Sequence, residues 1–398
     1  MPATRNRGSA PSPIIPALLV AASSVSILST DLYTPSLPHL PAYFGTDAET
    51  VQQTMMINLL GYALGQLVHG PLSERFGRRP VMIAGMAAAT VFSLACAVAW
   101  SIEALIVARA FQGLTMCAEA VIALAVIRDL YDGPSGARIL ALFGMALAVA
   151  PAAGPVIGGF VHVWAGWRAN FYLIAALALL VTLLVWRLLP ETATPDRAAL
   201  KPRRLFGDYL ALLTHLGYMR YALATGAVMG ALFVFVTQGP FLYIDRLGVA
   251  TQHYGFFSAI VVAAFFFGSL FANRYVRTIG VERLLQFSLV LILVAGVALP
   301  ATIAVGWEAA APITAAISIY AFALGLFFAS APMRALEEAP VGGGTAAALL
   351  GALEMAGGAA AVQVASSFHD GTAWPMAATF AGSALLTGLL YLVLRPRR

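Results

Sequence analysis

Twelve long apolar stretches follow one another along this chain, and the short segments between them hold most of its charged residues. Each stretch is close to the roughly 20 residues that a helix needs to cross a bilayer. The period-two alternation that is typical of a membrane β-barrel is missing from these stretches. The pattern therefore predicts an all-α integral membrane protein with twelve transmembrane helices. We place the spans at residues 14–36, 51–72, 80–100, 103–128, 137–161, 168–189, 218–239, 253–274, 281–300, 309–331, 345–368 and 373–394.

The 23 basic residues lie unevenly on two sides that alternate along the chain. If the N-terminus is cytoplasmic, twenty of them fall in cytoplasmic segments, Arg168 and Arg246 fall in outer loops, and Arg109 falls inside span 4. Such a bias indicates that both termini are cytoplasmic. Loop placement thus explains the net charge of +5 better than a nucleic-acid partner does. The apolar run from Ile14 continues to Asp31 without a convincing cleavage site, so we expect a first span and not a removed signal peptide.

Composition excludes several classes of protein. The chain is 60% hydrophobic and 10% charged, whereas a soluble domain carries about 25% charge. Its two cysteines, Cys96 and Cys117, both fall in predicted spans, and packing is the ordinary role for such residues. The sequence has no zinc-ligand spacing, Walker loop, nucleophile elbow or dinucleotide fingerprint. We therefore expect no metal, no cofactor, no enzymatic activity and no ATP-driven pumping.

The longest polar segment, 190–217, divides the spans six and six. The sequence predicts an N-terminal bundle at 1–189, a cytoplasmic linker at 190–217 and a C-terminal bundle at 218–398. A weak echo, Ser-Glu-Arg-Phe-Gly-Arg at 73–78 and Ala-Asn-Arg-Tyr-Val-Arg at 272–277, favours duplication. Two equivalent halves are typical of transporters whose site lies between the halves near the midplane of the membrane.

Four segments together resemble the major facilitator superfamily. Gly-Pro-Leu-Ser-Glu-Arg-Phe-Gly-Arg-Arg-Pro at 70–80 resembles its signature loop between spans 2 and 3, with Glu74 where the family usually has Asp. Arg-Ala-Phe-Gln-Gly at 109–113 resembles the span-4 motif, and Gly-Pro-Val-Ile-Gly-Gly within 150–159 resembles the antiporter motif of span 5. Thr-Asp-Leu-Tyr-Thr-Pro-Ser-Leu-Pro at 30–38 resembles the bicyclomycin and chloramphenicol resistance branch (Bcr/CflA type). The resemblance implies two pseudo-symmetric six-helix bundles and drug/proton antiport across a bacterial inner membrane.

Ionisable residues inside the spans are the best indication of mechanism, because a charge in hydrocarbon costs several kcal/mol unless it is paired or hydrated. Asp31 lies near the outer end of span 1, and Arg109 lies about 9 Å below the outer start of span 4, so the two are able to pair. Glu119 and Glu354 each lie about 14 Å from the inner side and could face one cavity. We expect these four residues to carry proton coupling. The alternatives for Asp31 are a static ion pair or a position among the outer headgroups near Pro35. For the two glutamates, the alternative is a protonated acid that is hydrogen-bonded between helices.

The remaining site predictions fall into three groups. The substrate cavity is expected to involve Asp31, Asn58, Arg109, Gln112, Phe235, Gln238 and Glu354. The gating loop comprises Gly70, Glu74, Arg75, Gly77, Arg78 and Arg79, where Glu74 would pair with a nearby Arg or face a helix N-terminus. The antiporter motif comprises Pro151, Gly154, Pro155, Gly158 and Gly159. The alternative for the gating loop is that its charges only set the topology. The alternative for the antiporter motif is ordinary packing between helices, and that for Phe235 is contact of its ring with lipid or with a neighbouring helix.

These features predict a monomeric, proton-coupled multidrug efflux antiporter that works by alternating access. Its expected partners are a small-molecule drug or metabolite, protons and membrane lipids. One alternative is a proton-coupled nutrient or metabolite transporter of the same fold. A second is a membrane receptor or scaffold, which would need no buried acid to titrate.

Overall fold

A computed structural model describes residues 14–131, 133–194, 196 and 201–394, and it builds them almost wholly from helices. The helices are α1 Ile14–Asp31, α2 Leu40–Phe44, α3 Ala48–Phe76, α4 Arg78–Ala97, α5 Ile102–Leu130, α6 Gly133–Ala165, α7 Trp167–Leu188, α8 Pro202–Thr214, α9 Leu216–Pro240, α10 Thr251–Ile279, α11 Val281–Ala304, α12 Ala310–Phe328, α13 Ala331–Glu337, α14 Gly343–Ser367 and α15 Trp374–Val393. A 3₁₀ segment, Thr34–His39, follows α1, and a π-helical segment, Phe241–Arg246, follows α9. The basic residues at 5, 7, 197, 395, 397 and 398, part of the predicted charge bias, lie outside the described residues.

Eleven helical stretches within the described residues are long and apolar enough to cross a membrane. The twelfth span is α3, which has 29 residues but lower hydropathy because it carries polar side chains such as Gln52, Asn58 and His69. All three side chains are buried, because α3 packs between α5 and α14. The prediction of twelve transmembrane helices is therefore confirmed.

The helices form two bundles, each with its own core. Buried side chains from α1 and from α3 to α7 make one cluster, and side chains from α9 to α15 make most of the other. The amphipathic helix α8 lies between them in sequence, and the Tyr209 hydroxyl donates to the Leu67 carbonyl at 3.0 Å. The predicted boundaries at 189/190 and 217/218 stay a prediction, although α7 ends and α9 begins within two residues of them.

The most extensive described contacts between the bundles are those of α3 with α14 and of α6 with α10. Glycine permits the close approach of α6 to α10. A Cβ at Gly255 would lie 2.6 Å from the carbonyl carbon of Pro155, and one at Gly159 would lie 2.7 Å from the Thr251 carbonyl oxygen. Backbones this close leave no room for larger side chains, as is usual where helices pack in a membrane. We call the end of the molecule that holds Thr251 the outer face, following the predicted charge bias.

Candidate functional site

Arg109 is a fully buried cation on α5, and its guanidinium group donates to neutral acceptors. Nη1 donates to the Ser29 carbonyl at 3.0 Å and to Gln112 Oε1 at 2.6 Å, and Nε donates to the Thr54 carbonyl at 3.4 Å. The ring of Tyr33 lies 5.0 Å from the guanidinium carbon. Carbonyl dipoles and an aromatic face thus stabilise this buried charge, and no carboxylate among the described residues pairs with it directly.

Asp31 is the last residue of α1, where Pro35 in the following 3₁₀ segment ends the α-helix. The Thr34 hydroxyl donates to the Asp31 carbonyl at 2.8 Å and closes this helix end. The side chain of Asp31 is 9% exposed and has no hydrogen bond within the described part of the chain. Arg109 lies within electrostatic reach of it. The two residues are therefore neighbours, as the hydrogen bond from Arg109 to the Ser29 carbonyl also indicates, but no ion pair joins their side chains in the described part of the chain.

Glu119 lies ten residues further along α5 and is completely buried. Neither of its carboxyl oxygens has a hydrogen-bond partner among the described residues. Ser26 lies close to this carboxyl group, but its hydroxyl donates to the Met116 carbonyl at 2.8 Å and lies 3.4 Å from the Tyr62 hydroxyl. A carboxyl group left in this way is costly as an anion, so it favours a bound proton or a cationic ligand.

Glu354 is the corresponding acid of the C-terminal bundle, on α14. It is 9% exposed, and no hydrogen bond holds its side chain in the described part of the chain. Tyr218 on α9 lies nearby, but its hydroxyl donates to the Ala346 carbonyl at 2.7 Å. No described contact joins Glu354 to Glu119, so their sharing of one cavity stays a prediction.

Two residues expected in the substrate cavity instead support Arg109. Asn58 Nδ2 donates to the Arg109 carbonyl at 3.0 Å. Gln112 Nε2 donates to Ser93 Oγ on α4 at 2.8 Å, while its oxygen accepts from Arg109. Both amides are almost completely buried, so they fix the position of the arginine in this arrangement. Their contact with substrate stays a prediction.

The other two cavity candidates on α9 lie in different surroundings. Phe235 is buried in the C-terminal core, with its ring centroid 6.5 Å from that of Tyr243. Gln238 Nε2 donates to Gln52 Oε1 on α3 at 3.2 Å, which joins the two bundles near the outer face. Gln238 therefore contributes to the interface between the two bundles, whereas Phe235 packs inside the C-terminal bundle.

The gating loop turns sharply at Gly77, whose φ of +100° favours glycine. Glu191 Oε1 and Oε2 accept from the backbone N–H groups of Arg78 and Arg79, at 2.9 and 3.2 Å. A carboxylate thus caps the N-terminus of α4, and Glu191 provides it. Glu74 does not cap this helix, but it lies beside Gly344 in the first turn of α14, so its place at a helix N-terminus stays a prediction. The sequence offered only a weak signal for Glu191, a polar segment that starts at Pro190.

Arg78 also pairs with Asp129 at the end of α5, with Nε 3.4 Å from Oδ2. Glu74 faces the other bundle, because a Cβ at Gly344 on α14 would lie 3.6 Å from its Oε1. A cavity of about 410 Å³ lies beside these groups, between α3, α5, α8 and α14. Its polar lining includes Gln66, Glu74, Arg78, Arg128, Asp129, Asp208 and Thr345.

The antiporter motif lies on α6, which stays helical through Pro151 and Pro155. Its glycines are packing points. A Cβ at Gly158 would strike the Leu32 carbonyl just after α1, while Gly159 faces Thr251 on α10. Gly154 lies against Asp31 itself. The motif therefore places one helix in contact with both the candidate proton-binding acid and the opposite bundle.

The family model described as Major Facilitator Superfamily matches residues 19–362. The chain belongs to this superfamily. It is accordingly a multi-pass membrane transporter and not an enzyme, and the resemblance inferred from the four sequence segments is confirmed.

Named relatives agree with the branch. The chain is 28% identical over 370 residues to the bicyclomycin resistance protein homolog of Haemophilus influenzae, covering 92% of each chain. It is 33% identical over 263 residues to a chloramphenicol resistance protein of Pseudomonas aeruginosa, covering 66% of this chain and 62% of the relative. It is 29% identical over 348 residues to the multidrug transporter MdfA of Yersinia pestis, covering 86% and 84%.

Solved structures support the fold alone. The nucleoside transporter NupG superposes with a TM-score of 0.73 at 14% identity, covering 96% of this chain and 100% of that one. A bacterial homolog of the human lysosomal transporter Spinster gives 0.70 at 13% identity, covering 97% and 96%. At identities this low, the structural similarity supports the architecture of the two bundles and does not indicate the substrate.

Proposed function

We propose that this chain is a proton-driven exporter of small-molecule drugs. It would act as a monomer in the bacterial inner membrane, with both termini in the cytoplasm, and exchange substrate for protons by alternating access. The names of its relatives support the substrate class. The arrangement around Asp31 is the observation that carries proton coupling: a buried acid, free of hydrogen bonds in the described part of the chain and within reach of the Arg109 charge.

Asp31 is suited to this role because its surroundings depend on how helices pack. Desolvation opposes its charged form and Arg109 favours it. Gly154 on α6 touches Asp31, and α6 also meets α10 of the opposite bundle. A movement of α6 against α10 would therefore change how strongly Asp31 binds a proton. Proton binding would in turn shift the equilibrium between the two arrangements of α6 and α10. This reciprocity is the condition for coupling.

Substrate and proton need to prefer different states of the transporter, since a ligand shifts an equilibrium only by its difference in affinity. In the proposed cycle, a proton taken up outside favours the inward-facing state, and substrate taken up inside favours the outward-facing state. Arg109 would bind anionic or polar parts of the substrate and tune Asp31. Glu119 or Glu354 would serve as the second acid, because neither has a hydrogen-bond partner within the described residues.

The deciding experiment measures proton release from proteoliposomes while candidate drugs are added. Wild type is expected to release protons with at least one compound of a chemically broad panel, and Asp31→Asn to release none although it inserts and folds. Glu103→Gln, which removes an exposed acid at the start of α5, is the matched control and keeps proton release. Drug-dependent proton release that survives in Asp31→Asn rejects Asp31 as the carrier.

The two glutamates are separated by the same assay. Glu119→Gln and Glu354→Gln keep side-chain size while removing a titratable proton. Loss of proton release in one variant identifies the residue replaced in it as the second acid, and normal release by both variants rejects a second acid at either position. A response of wild type to metabolites alone would favour the metabolite transporter. No substrate-dependent flux at all would favour the receptor.

A further inference from the structure

The linker helix α8 carries a row of exposed apolar side chains. Phe206, Leu210 and Leu213 follow one another at spacings of four and three residues, so they lie on one side of the helix. All three are exposed, and the side chain that protrudes furthest, Phe206, is 71% exposed. We call these three residues the apolar stripe. Single exposed apolar residues are ordinary, but a contiguous row of them marks a surface that binds something.

The adjacent side of α8 already packs against the transporter. Leu212 is fully buried in the core of the C-terminal bundle. The Tyr209 hydroxyl donates to the Leu67 carbonyl on α3, which attaches α8 to the N-terminal bundle as well. Asp208 lines the polar cavity between α3, α5, α8 and α14. The apolar stripe is therefore a second apolar surface, which packing among the described residues leaves exposed.

The contact of Tyr209 places α8 at the level of the membrane. Leu67 lies five residues before the end of the span predicted at 51–72, which is about 7.5 Å inside that span. Leu64 and Val68, on either side of Leu67 along α3, are exposed apolar residues. Such residues are usual where a transmembrane helix faces lipid. A helix attached at this depth, beside a surface that faces lipid, lies within reach of the headgroup region of the bilayer.

Positive charge at the start of α8 indicates the kind of surface that covers the apolar stripe. The sequence places Lys201 directly before the helix, and Arg203 and Arg204 in its first turn. Anionic headgroups attract basic segments next to transmembrane helices, and an amphipathic helix with basic residues is typical of the membrane interface. A second copy of this chain has a net charge of +5 and does not complement these residues. Anionic lipid accounts for the apolar stripe, the basic residues and the depth of α8 together.

We propose that α8 is an interfacial helix that binds anionic phospholipid at the inner surface of the membrane. The apolar stripe enters the boundary between headgroups and acyl chains, and the positive charge at the start of the helix is attracted to the lipid phosphates. Because α8 contacts both bundles, it attaches their inner ends to the lipid surface. The proposal uses the predicted cytoplasmic position of the linker, and it depends neither on drug export nor on Asp31.

The experiment measures the depth of a spin label on α8 from its exposure to oxygen and to a water-soluble nickel chelate. The full chain, with its buried cysteines removed by Cys96→Ala and Cys117→Ala, is placed singly in nanodiscs of equal parts phosphatidylglycerol and phosphatidylcholine, without drug. A label at Leu213→Cys is expected about 5–10 Å below the headgroups.

Gly207→Cys is the matched control. Position 207 lies about 120° from position 213 around the helix. A Cβ at Gly207 meets nothing within 4 Å, so the substitution fits. The label at this position is expected in water, with full exposure to the nickel chelate.

Two further variants separate the apolar and the charged contributions to binding. Phe206→Ser combined with Leu210→Ser removes most of the apolar stripe and is expected to raise the label at position 213 to the headgroups. In nanodiscs of phosphatidylcholine alone, the same label is expected to lie closer to water than in the mixed lipid. This difference between the lipids is expected to vanish when the three basic residues at the start of α8 are replaced by glutamine.

Equal depths at positions 207 and 213 would overturn the proposal, as would a label at position 213 that stays in water or ignores phosphatidylglycerol. Protection of that label from both oxygen and nickel would also overturn it, because protein and not lipid would then cover the apolar stripe. None of these results bears on drug-driven proton release. Conversely, a transporter that releases no protons but shows the expected depths would reject the proposed function and keep the interfacial helix.

Discussion

Gly154 on α6 lies directly against Asp31 on α1, so that a Cβ at position 154 would come within 2.7 Å of the Asp31 Cβ. Real side chains essentially never approach this closely, and one of the two helices would have to move. The contact explains why a glycine is needed at this point of the antiporter motif. It also joins the candidate proton carrier to the helix that meets the opposite bundle.

Gly154→Ala is therefore expected to displace Asp31 and reduce drug transport about tenfold or more, with an overpacking cost of about 1–3 kcal/mol. Transport in proteoliposomes and thermal unfolding in detergent measure the two effects. Gly144→Ala is the control on the same helix, since a Cβ there meets nothing within 4 Å. Equal transport by the two variants would contradict a positioning role for the contact.

Sequence reasoning predicted the environment of Arg109 only in part. A lone arginine in an apolar stretch indicates a buried charge near an acid, and both features are present. The groups that stabilise Arg109 were not predictable, because the carbonyls of Ser29 and Thr54 lie 80 and 55 residues away in sequence and meet it only through tertiary packing. Glu191 was missed for the same reason, as it caps a helix that begins 113 residues earlier.

The span α3 illustrates the opposite case. The sequence predicts a span at 51–72 although α3 is less hydrophobic than the other spans, and its polar residues are buried against α5 and α14. Topology thus followed from the pattern of the whole chain. Side-chain partners did not, because neutral hydrogen-bonding groups occur in every span and only packing selects among them.

Arg109→Lys tests whether the guanidinium geometry matters beyond its charge. A lysine ammonium cannot reach the Ser29 carbonyl, Gln112 Oε1 and the Thr54 carbonyl together, so at least one buried acceptor loses its donor. We expect a loss of about 1.5–3 kcal/mol in unfolding free energy and a severe loss of transport. Arg187→Lys, at an exposed position on α7, should change neither. Wild-type stability in Arg109→Lys would show that this hydrogen-bond set is dispensable.

Glu191→Ala should weaken the junction of the gating loop with the linker. Its carboxylate accepts from the backbone N–H groups of Arg78 and Arg79, and losing such a cap costs about 0.5–2 kcal/mol. Hydrogen exchange at the first turn of α4 should rise, while exchange at the first turn of α5, capped by Ser101, should not change. Glu191→Gln should keep part of the protection, because its amide oxygen still accepts. Unchanged exchange in Glu191→Ala would contradict the cap.

Asp47 supplies a cap whose contribution depends on pH. Its Oδ1 accepts from the Thr50 backbone N–H at 2.7 Å at the start of α3, and this hydrogen bond lowers the pKa of the Asp47 carboxyl below its ordinary value of 3.8. Because the folded pKa is the lower one, the stabilisation is complete above pH 3.8 and fades as the pH falls through the folded value. Asp47→Ala should therefore lower the unfolding temperature in detergent at neutral pH, by the equivalent of about 1 kcal/mol, and differ less from wild type in acid. Ser101→Ala removes a cap that does not titrate, so its deficit should stay the same at both pH values. A deficit of Asp47→Ala that is equally large in acid would show that Asp47 stabilises α3 by something other than its charged carboxylate.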